Sequence, residues 1–524
     1  LHVKTPSPET SRFWQIFQFH ASFRGLVNKG VTYTFANSTD FEVDMRVRGS
    51  IISTFALAIF VFALAANAAV QVKHIGTSKS GQVDFDKAAQ EATKMLCEYL
   101  RIDTTVPPGN EKLGAQYLAS VLRQNGIEAQ LYETAPNRSC VYARLKGSGK
   151  KKAVILLNHI DVVPAVAADW KHPPFAGEVI DNEIWGRGAL DMKGFGIVEL
   201  EAMLMIKRQG LKLDRDIIFL GTPDEEVGGD FGARWFSEKH PELLKDAEFL
   251  INEGSHIITG SDGRPKFWGV NFSEKNVLWL KLTATGQAGH ASMPIKDSAT
   301  NRLARALEKL VAVYPMAVRA PQVVPDLKKI SDTKPEPLKG YYAQVVEDMK
   351  SPDYISGIEN DRMLSSMLVN TASLTVLKAG YKTNVIPGEA SAEIDCRLLP
   401  GVDKDEFIQH VQKIIQDPTI KTSVLEWNVA GASEIQNDLF DSIRKVAAEE
   451  SPGTPVRPVV VPWFTDSHWF RKLGINCYGF EPFEVKPELL ASMHGIDERV
   501  PVSVYSTGLR RFYKILVDVV QAKP

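Results

Sequence analysis

Between residues 85 and 260, short apolar runs alternate with segments of helical spacing, and this alternation restricts the fold more than any other feature of the chain. Phe85 to Tyr99 puts Ala88, Ala89, Ala92, Met95, Leu96 and Tyr99 on one stripe; Leu113 to Asn125 repeats the pattern and stops at Gly126. Strands are predicted at 127–133, 139–146 and 153–158, with a short one at 183–185. An apolar helix from Gly194 to Gln209 follows, with Gly210 as its C-cap. A strand at 216–220, a helix at 231–239 and a strand at 248–251 complete the run. Strands separated by helices give an α/β layer with a mainly parallel sheet.

Near Asn276 the pattern changes. Val277 to Thr285 alternates as an amphipathic strand, and further strands are expected at 373–377, 389–397 and 422–428, with helices at 299–313 and 404–416. Residues 315–360 are rich in Pro, Lys and Asp and read as an irregular insertion. This middle region reads as a smaller α+β domain, 274–432, inserted into a catalytic domain made of 69–273 and 433–524. After it the α/β pattern resumes, with helices at 438–450 and 503–521 and a strand at 477–480.

The N-terminus is read apart from the fold. Residues 1–44 lack clear periodicity and are taken as a non-native or dispensable extension. Met45-Arg46-Val47-Arg48 is basic, Ile51 to Ala65 is mostly apolar, and Ala66-Asn67-Ala68 has the small-residue spacing of a cleavage site. Residues 45–68 therefore read as a signal peptide starting at Met45, and the protein as exported, periplasmic or secreted. The apolar run is short for a full membrane span, so no stable span is expected after cleavage. Lys and Arg total 61 against 63 Asp and Glu, a net charge of −2, which gives no basic face for nucleic acid. Cys97, Cys140, Cys396 and Cys477 are widely spaced, which argues against a cysteine metal site and leaves disulfides open in an exported protein.

The chemistry gathers where strands end. His159 and Asp161 follow the 153–158 strand, Asp191 precedes a helix, Glu225 and Glu226 follow the 216–220 strand, and Glu253 follows the 248–251 strand. A lone histidine after a strand is ordinarily a core residue, and an isolated Glu-Glu pair is ordinarily a solvated turn. Asp191 alone would serve as a helix N-cap. A wound sheet, however, brings these strand ends to one edge. Carboxylates crowded there repel one another unless cations neutralise them. With imidazole nitrogen and no thiolate available, zinc or a similar divalent ion fits, and two ions suit the ligand count better than one. Paired metals with a bridging oxygen recur in hydrolases.

His159-x-Asp161-Val-Val-Pro, Gly186-Arg-Gly-x-x-Asp191-Met-Lys-Gly, Asp224-Glu225-Glu226-Val-Gly-Gly and Glu253-Gly254 resemble the motifs of the zinc-dependent family of aminoacylase, acetylornithine deacetylase, succinyl-diaminopimelate desuccinylase and glutamate carboxypeptidase. The resemblance covers residues 85–520. It implies a di-zinc hydrolase, with Co2+ or Mn2+ as substitutes, that cleaves the amide bond of N-acyl amino acids or of short peptides with a free carboxylate. It further implies that Asp191 bridges the metals, that His159 and Glu253 complete one site, and that Glu226 and His494 complete the other. Asp161 would orient His159, and Glu225 would be the general base. His290, in Gly289-His290-Ala291-Ser292, would stabilise the oxyanion, often from a partner subunit. Asn384 and Arg397 would hold the substrate carboxylate. The smaller domain would be a lid and a homodimer interface. Asn252 departs from the pattern, since many relatives carry Asp there. Thr465-Asp466 resembles a loop motif of the family without an assigned role. The alternatives are a deacylase rather than a peptidase, or a catalytically silent homologue that binds amino-acid derivatives.

Overall fold

The computed structural model describes residues 83–523 except 261–262, 314–327, 329–330, 334–337 and 353–361. The extension at 1–44 and the signal peptide at 45–68 lie outside the described residues, as does much of the 315–360 insertion.

Helix α1 (Phe85–Leu100) starts where the Asp84 carboxylate accepts the Lys87 N–H at 3.0 Å, and α2 (Glu111–Gln124) follows. A hairpin comes next, β1 (Ala129–Ala135) and β2 (Arg138–Leu145), then the fully buried β3 (Ala153–His159). The short strands β4 (Glu178–Ile180) and β5 (Glu183–Trp185) lead to α3 (Lys193–Gln209). Next in the chain are β6 (Ile217–Thr222), α4 (Ala233–Lys239), β7 (Ala247–Thr259) and β8 (Pro265–Glu274). The chain then leaves this layer for β9 (Asn276–Thr285), β10 (Gly289–His290), α5 (Ala299–Val313), β11 (Thr371–Ala379) and β12 (Val385–Ile386). β13 (Glu389–Leu398), α6 (Lys404–Ile415) and β14 (Lys421–Asn428) end that excursion. It returns through α7 (Asp438–Glu450), β15 (Val456–Val461), α8 (Ser467–Arg471), β16 (Asn476–Val485), β17 (Arg499–Pro501) and α9 (Val502–Val520).

The large sheet has the order β1-β2-β6-β3-β7-β16-β8-β15. Its centre, β6-β3-β7-β16, is parallel; β2 and the β8–β15 pair run against it, and the edge strand β1, antiparallel to β2, runs with it. Helices cover both faces. α3 is buried on almost every side, packing Phe195, Ile197 and Leu200 into a core shared with α1, α2, α7 and α9. Burying each such side chain contributes about 1.5–3 kcal/mol. The helix stops at Gly210, in the left-handed conformation at φ 63°, whose N–H returns to Ile206 and Lys207. On the opposite face, Phe236 of α4 and Phe470 of α8 cover Leu157, Leu220 and Leu250.

The second sheet, β11-β13-β9-β14, is wholly antiparallel. α5 and α6 pack on one of its faces over Leu280, Ile394 and Cys396. Among the described residues, no helix is long and apolar enough to cross a membrane.

β8 and β15 were not foreseen: Trp268, Gly269 and Asn271 break any simple period in β8, and Pro458 interrupts the apolar run of β15. β7 does not stop before Asn252 but runs on to Thr259. The register against β16 slips between Asn252 and Ser255, so Glu253 and Gly254 form a bulge inside the strand. A side chain at Gly254 would put a Cβ 2.8 Å from the Gly479 Cα, so the close approach there requires glycine. Finally, the four cysteines are all buried and free, with no disulfide.

Candidate metal centre

His159 is the last residue of β3, at the edge where the parallel strands end. Its Nε2 lies 3.0 Å from Asp191 Oδ1 and 3.8 Å from Glu253 Oε2. His494, on a left-handed backbone at φ 57°, puts its Nε2 2.9 Å from Asp191 Oδ2 and 3.0 Å from Glu226 Oε2. The two oxygens of Asp191 therefore face different histidines, each accompanied by a further glutamate. Donor atoms of His159, Asp191 and Glu226 all lie within 4.8 Å of one another, as do those of His159, Glu225 and Glu253.

Buried contacts hold this arrangement. Asp191 precedes α3, but the helix has no side-chain N-cap, so the carboxylate is left for the cluster. The loop that carries it is gripped by Glu498, which is fully buried. That carboxylate accepts the N–H groups of Gly188 at 2.9 Å, Leu190 at 2.8 Å and Asp191 at 3.0 Å, and pairs with Arg187 at 2.7 Å. The Glu225–Glu226 turn is held by Asp161, whose carboxylate accepts both backbone N–H groups, at 3.1 and 3.0 Å. Asp224 sits in the left-handed region at φ 77°, where it pairs with Arg138 and accepts the Phe231 N–H at 2.9 Å.

Asp161 orients His159 differently from the expectation. The ring Nδ1 is 2.9 Å from the main-chain carbonyl of Asp161, while the carboxylate stands at 3.8 Å. The carboxylate is committed to the Glu225–Glu226 turn, so one residue fixes the imidazole with its backbone and the turn with its side chain.

The electrostatics are those of a site short of positive charge. Burial, reinforced by Glu253, drives the Glu225 carboxyl well above its ordinary range. Burial and the neighbouring Asp191 push Glu226 up to about 7. Burial also raises Glu253. Hydrogen bonds to Asp191 and Glu226 raise His494 to about 10. Burial works against a charged His159, yet Asp191 and Glu253 overcome it and hold its proton well above the usual range. Burial opposes charge on Asp191 too, and the two histidines outweigh it and keep that carboxyl low. The cluster is compensated by protons that a divalent cation would displace. Glu226 Oε1 is buried without a hydrogen-bond partner, an acceptor a cation would use. The nitrogen and carboxylate donors suit zinc-like ions.

The other expected residues lie apart from this cluster. His290, on β10, is exposed, with Nδ1 2.7 Å from Ser292 Oγ. Asn384 is exposed and its carbonyl accepts the Ala291 N–H at 3.1 Å, so the two residues share one loop cluster of the smaller domain. Arg397, on β13, grips Asp395 with Nε at 2.7 Å and Nη2 at 3.0 Å. Asn252 donates to Ser467 Oγ at 3.1 Å, so an amide here ties β7 to α8 where a carboxylate would add repulsion. Asp466 accepts the Thr222 hydroxyl at 3.0 Å, and Thr465 donates to Glu274 through its hydroxyl at 2.9 Å. Glu498 and Arg138 escaped the sequence reading. Their one signal was position: Glu498 lies four residues after His494, and Arg138 opens β2.

An α/β sheet with helices on both faces, and a carboxylate shared by two histidine sites at its strand ends, defines a metal-dependent hydrolase. Residues 155–518 match Peptidase family M20/M25/M40, and the chain belongs to that family. It is 31% identical to the probable carboxypeptidase S-like 2 of Dictyostelium discoideum over 396 residues, covering 72% of this chain and 74% of that one. It is 28% identical to human aminoacylase-1 over 426 residues, covering 80% and 93%. Its fold is shared with an M20 family metallo-carboxypeptidase from Sulfolobus solfataricus, with a TM-score of 0.61 at 20% identity, covering 82% of this chain and 99% of that one. The chain is thus a hydrolase of amide or peptide bonds.

Proposed function

We propose that the protein is a di-zinc hydrolase that cleaves the amide bond of N-acyl amino acids or of short peptides with a free carboxylate. The observation that carries this reading is Asp191, whose two oxygens serve two separate histidine-carboxylate sets. His159 and Glu253 complete one metal site, and Glu226 and His494 the other. When bound, the metal pair supplies Lewis acidity and a water acidic enough to deprotonate near neutral pH. Glu225, within the same cluster, accepts the proton of the attacking water and returns it to the leaving nitrogen. Its buried setting supports that role, because a carboxyl with raised proton affinity holds the proton between the two transfers better than an ordinary exposed carboxylate does. Asp161 keeps Glu225 aimed by holding its N–H.

His290, Asn384 and Arg397 serve the substrate. His290 is exposed on the smaller domain, which suits a donor that reaches the centre of a second copy in a homodimer. There it stabilises the developing oxyanion. Asn384 and Arg397 receive the carboxylate. The Met45–Ala68 pattern supports export. The relatives include both a carboxypeptidase-like protein and an aminoacylase, so both substrate types enter the test. Zinc-loaded protein is assayed on N-acyl amino acids and dipeptides, with and without a chelator. Chelator-sensitive hydrolysis of at least one class is expected; activity that survives metal removal overturns the reading.

A further inference from the structure

Lys275 stands at the crossing from the large sheet to the small one, between Glu274, the last residue of β8, and Asn276, the first of β9. The crossing is tightly pinned. The Lys275 N–H reaches the Val461 carbonyl at 3.0 Å, Ser273 Oγ reaches the Gly431 carbonyl at 2.6 Å, and the Ala430 N–H reaches Asn276 Oδ1 at 3.0 Å. The Lys275 side chain is fully buried, and its Nζ has no hydrogen-bond partner. A buried lysine ordinarily finds a carboxylate. The carboxylate beside it in the chain and the one beside Arg397 on β13 are engaged elsewhere. Glu274 takes Arg471 at 2.8 Å and Thr465 at 2.9 Å, and Asp395 takes two nitrogens of Arg397.

Counted back along β9 from Trp279 and Val277, Lys275 falls on their side, one residue before the strand begins, and the register sets Val277 beside Arg397. This is the face of the small sheet opposite α5 and α6. Arg397 is near enough to lower the proton affinity of Lys275 further, after burial itself. Two cations thus share one corner. Arg397 has spent its Nε and Nη2 on Asp395, and Lys275 has spent nothing.

We propose that Lys275 is a specificity-determining residue whose ammonium, beside Arg397, receives the free carboxylate of the substrate. This rests on the amidohydrolase reading and names a contact within it. An anion at this corner supplies the missing acceptor for Nζ and offsets the repulsion between the two cations. It also ties recognition of a terminal carboxylate to the crossing on which the two sheets are joined.

The test compares N-acetyl-leucine with N-acetyl-leucinamide on the metal-loaded full chain, using wild type, Lys275→Met and Lys275→Arg. Loss of a charge-assisted contact predicts a fall of roughly 10–100-fold in kcat/KM for the acid, carried mainly by KM. The amide should change by less than about threefold, and Lys275→Arg should recover most of the acid activity. Equal loss on acid and amide overturns the proposal, because damage to the fold does not distinguish them. So does an unchanged acid-over-amide preference in Lys275→Met. If wild type turns over neither compound, the substrate reading fails separately. Lys275 is then judged by calorimetric binding of leucine against leucinamide, where loss of a wild-type preference for leucine in Lys275→Met supports it and equal binding by both proteins overturns it.

Discussion

Glu498→Gln removes one negative charge and little volume, and the structure gives it a large effect. The carboxylate is fully buried and receives three backbone N–H groups and the Arg187 guanidinium. Arg187 is itself only 2% exposed and keeps the Gly495 carbonyl as its other partner. Breaking a buried ion pair by removing one partner costs about 3–5 kcal/mol. A backbone N–H turned toward the glutamine NH2 loses its acceptor, at about 1–3 kcal/mol. The two effects share atoms, so a total of about 4 kcal/mol is expected, a large part of the roughly 5–15 kcal/mol that stabilises a typical domain. Urea unfolding of metal-free protein isolates this from metal linkage. The Asp191 loop should also loosen, weakening metal affinity by about 10–100-fold. An unchanged urea midpoint and slope, together with unchanged metal affinity, would refute the claim that Glu498 shapes the centre.

Three further outcomes are expected. Glu225→Gln should lower kcat by about 10²–10⁴ while metal content by elemental analysis stays at the wild-type level; wild-type turnover would remove Glu225 from the role of base. Metal affinity measured by chelator competition should rise with pH up to about 10, since His494 surrenders a proton that Asp191 and Glu226 hold; a flat profile would contradict the proton-for-metal exchange. Burial and Arg397 depress Lys275 to about 7 from an ordinary 10.5, so between those values the unfolded chain binds more protons than the folded one. Wild-type stability should therefore climb with pH across that window relative to Lys275→Met, and parallel curves would show that the ammonium is not penalised.

The meeting of His159, Asp191 and Glu226 was legible because each follows a strand or precedes a helix, where a parallel sheet delivers its side chains. His494 lies in a loop, and only the motif resemblance pointed to it. The second function of Asp161 was not legible: sequence places it near His159 but cannot say whether backbone or carboxylate meets the ring. β8 was missed because Pro265 to Glu274 mixes Trp268, Gly269 and Asn271 in no simple period, and its partners β15 and β16 are far along the chain, with only its first residues paired to the neighbouring β7. Glu253 was placed at a strand end because Asn252-Glu253-Gly254 reads as a turn; the bulge that keeps the strand going depends on Gly479, more than two hundred residues later. Glu498, Arg138 and Lys275 look like surface charges in a sequence. Only packing shows that Glu498 and Lys275 are buried and Arg138 half-buried, and only their partners, or the lack of them, show what they do.

The shared carboxylate of Asp191 is tested most directly by counting metal. Chelated protein is titrated with zinc, and bound metal per chain and hydrolysis are followed together in wild type, His159→Ala and Asp191→Ala. A shared Asp191 predicts two ions per chain in wild type, selective weakening of one site in His159→Ala, and loss of both in Asp191→Ala, with turnover needing the full pair. Full activity with a single bound ion, or two tightly bound ions in Asp191→Ala, would contradict it.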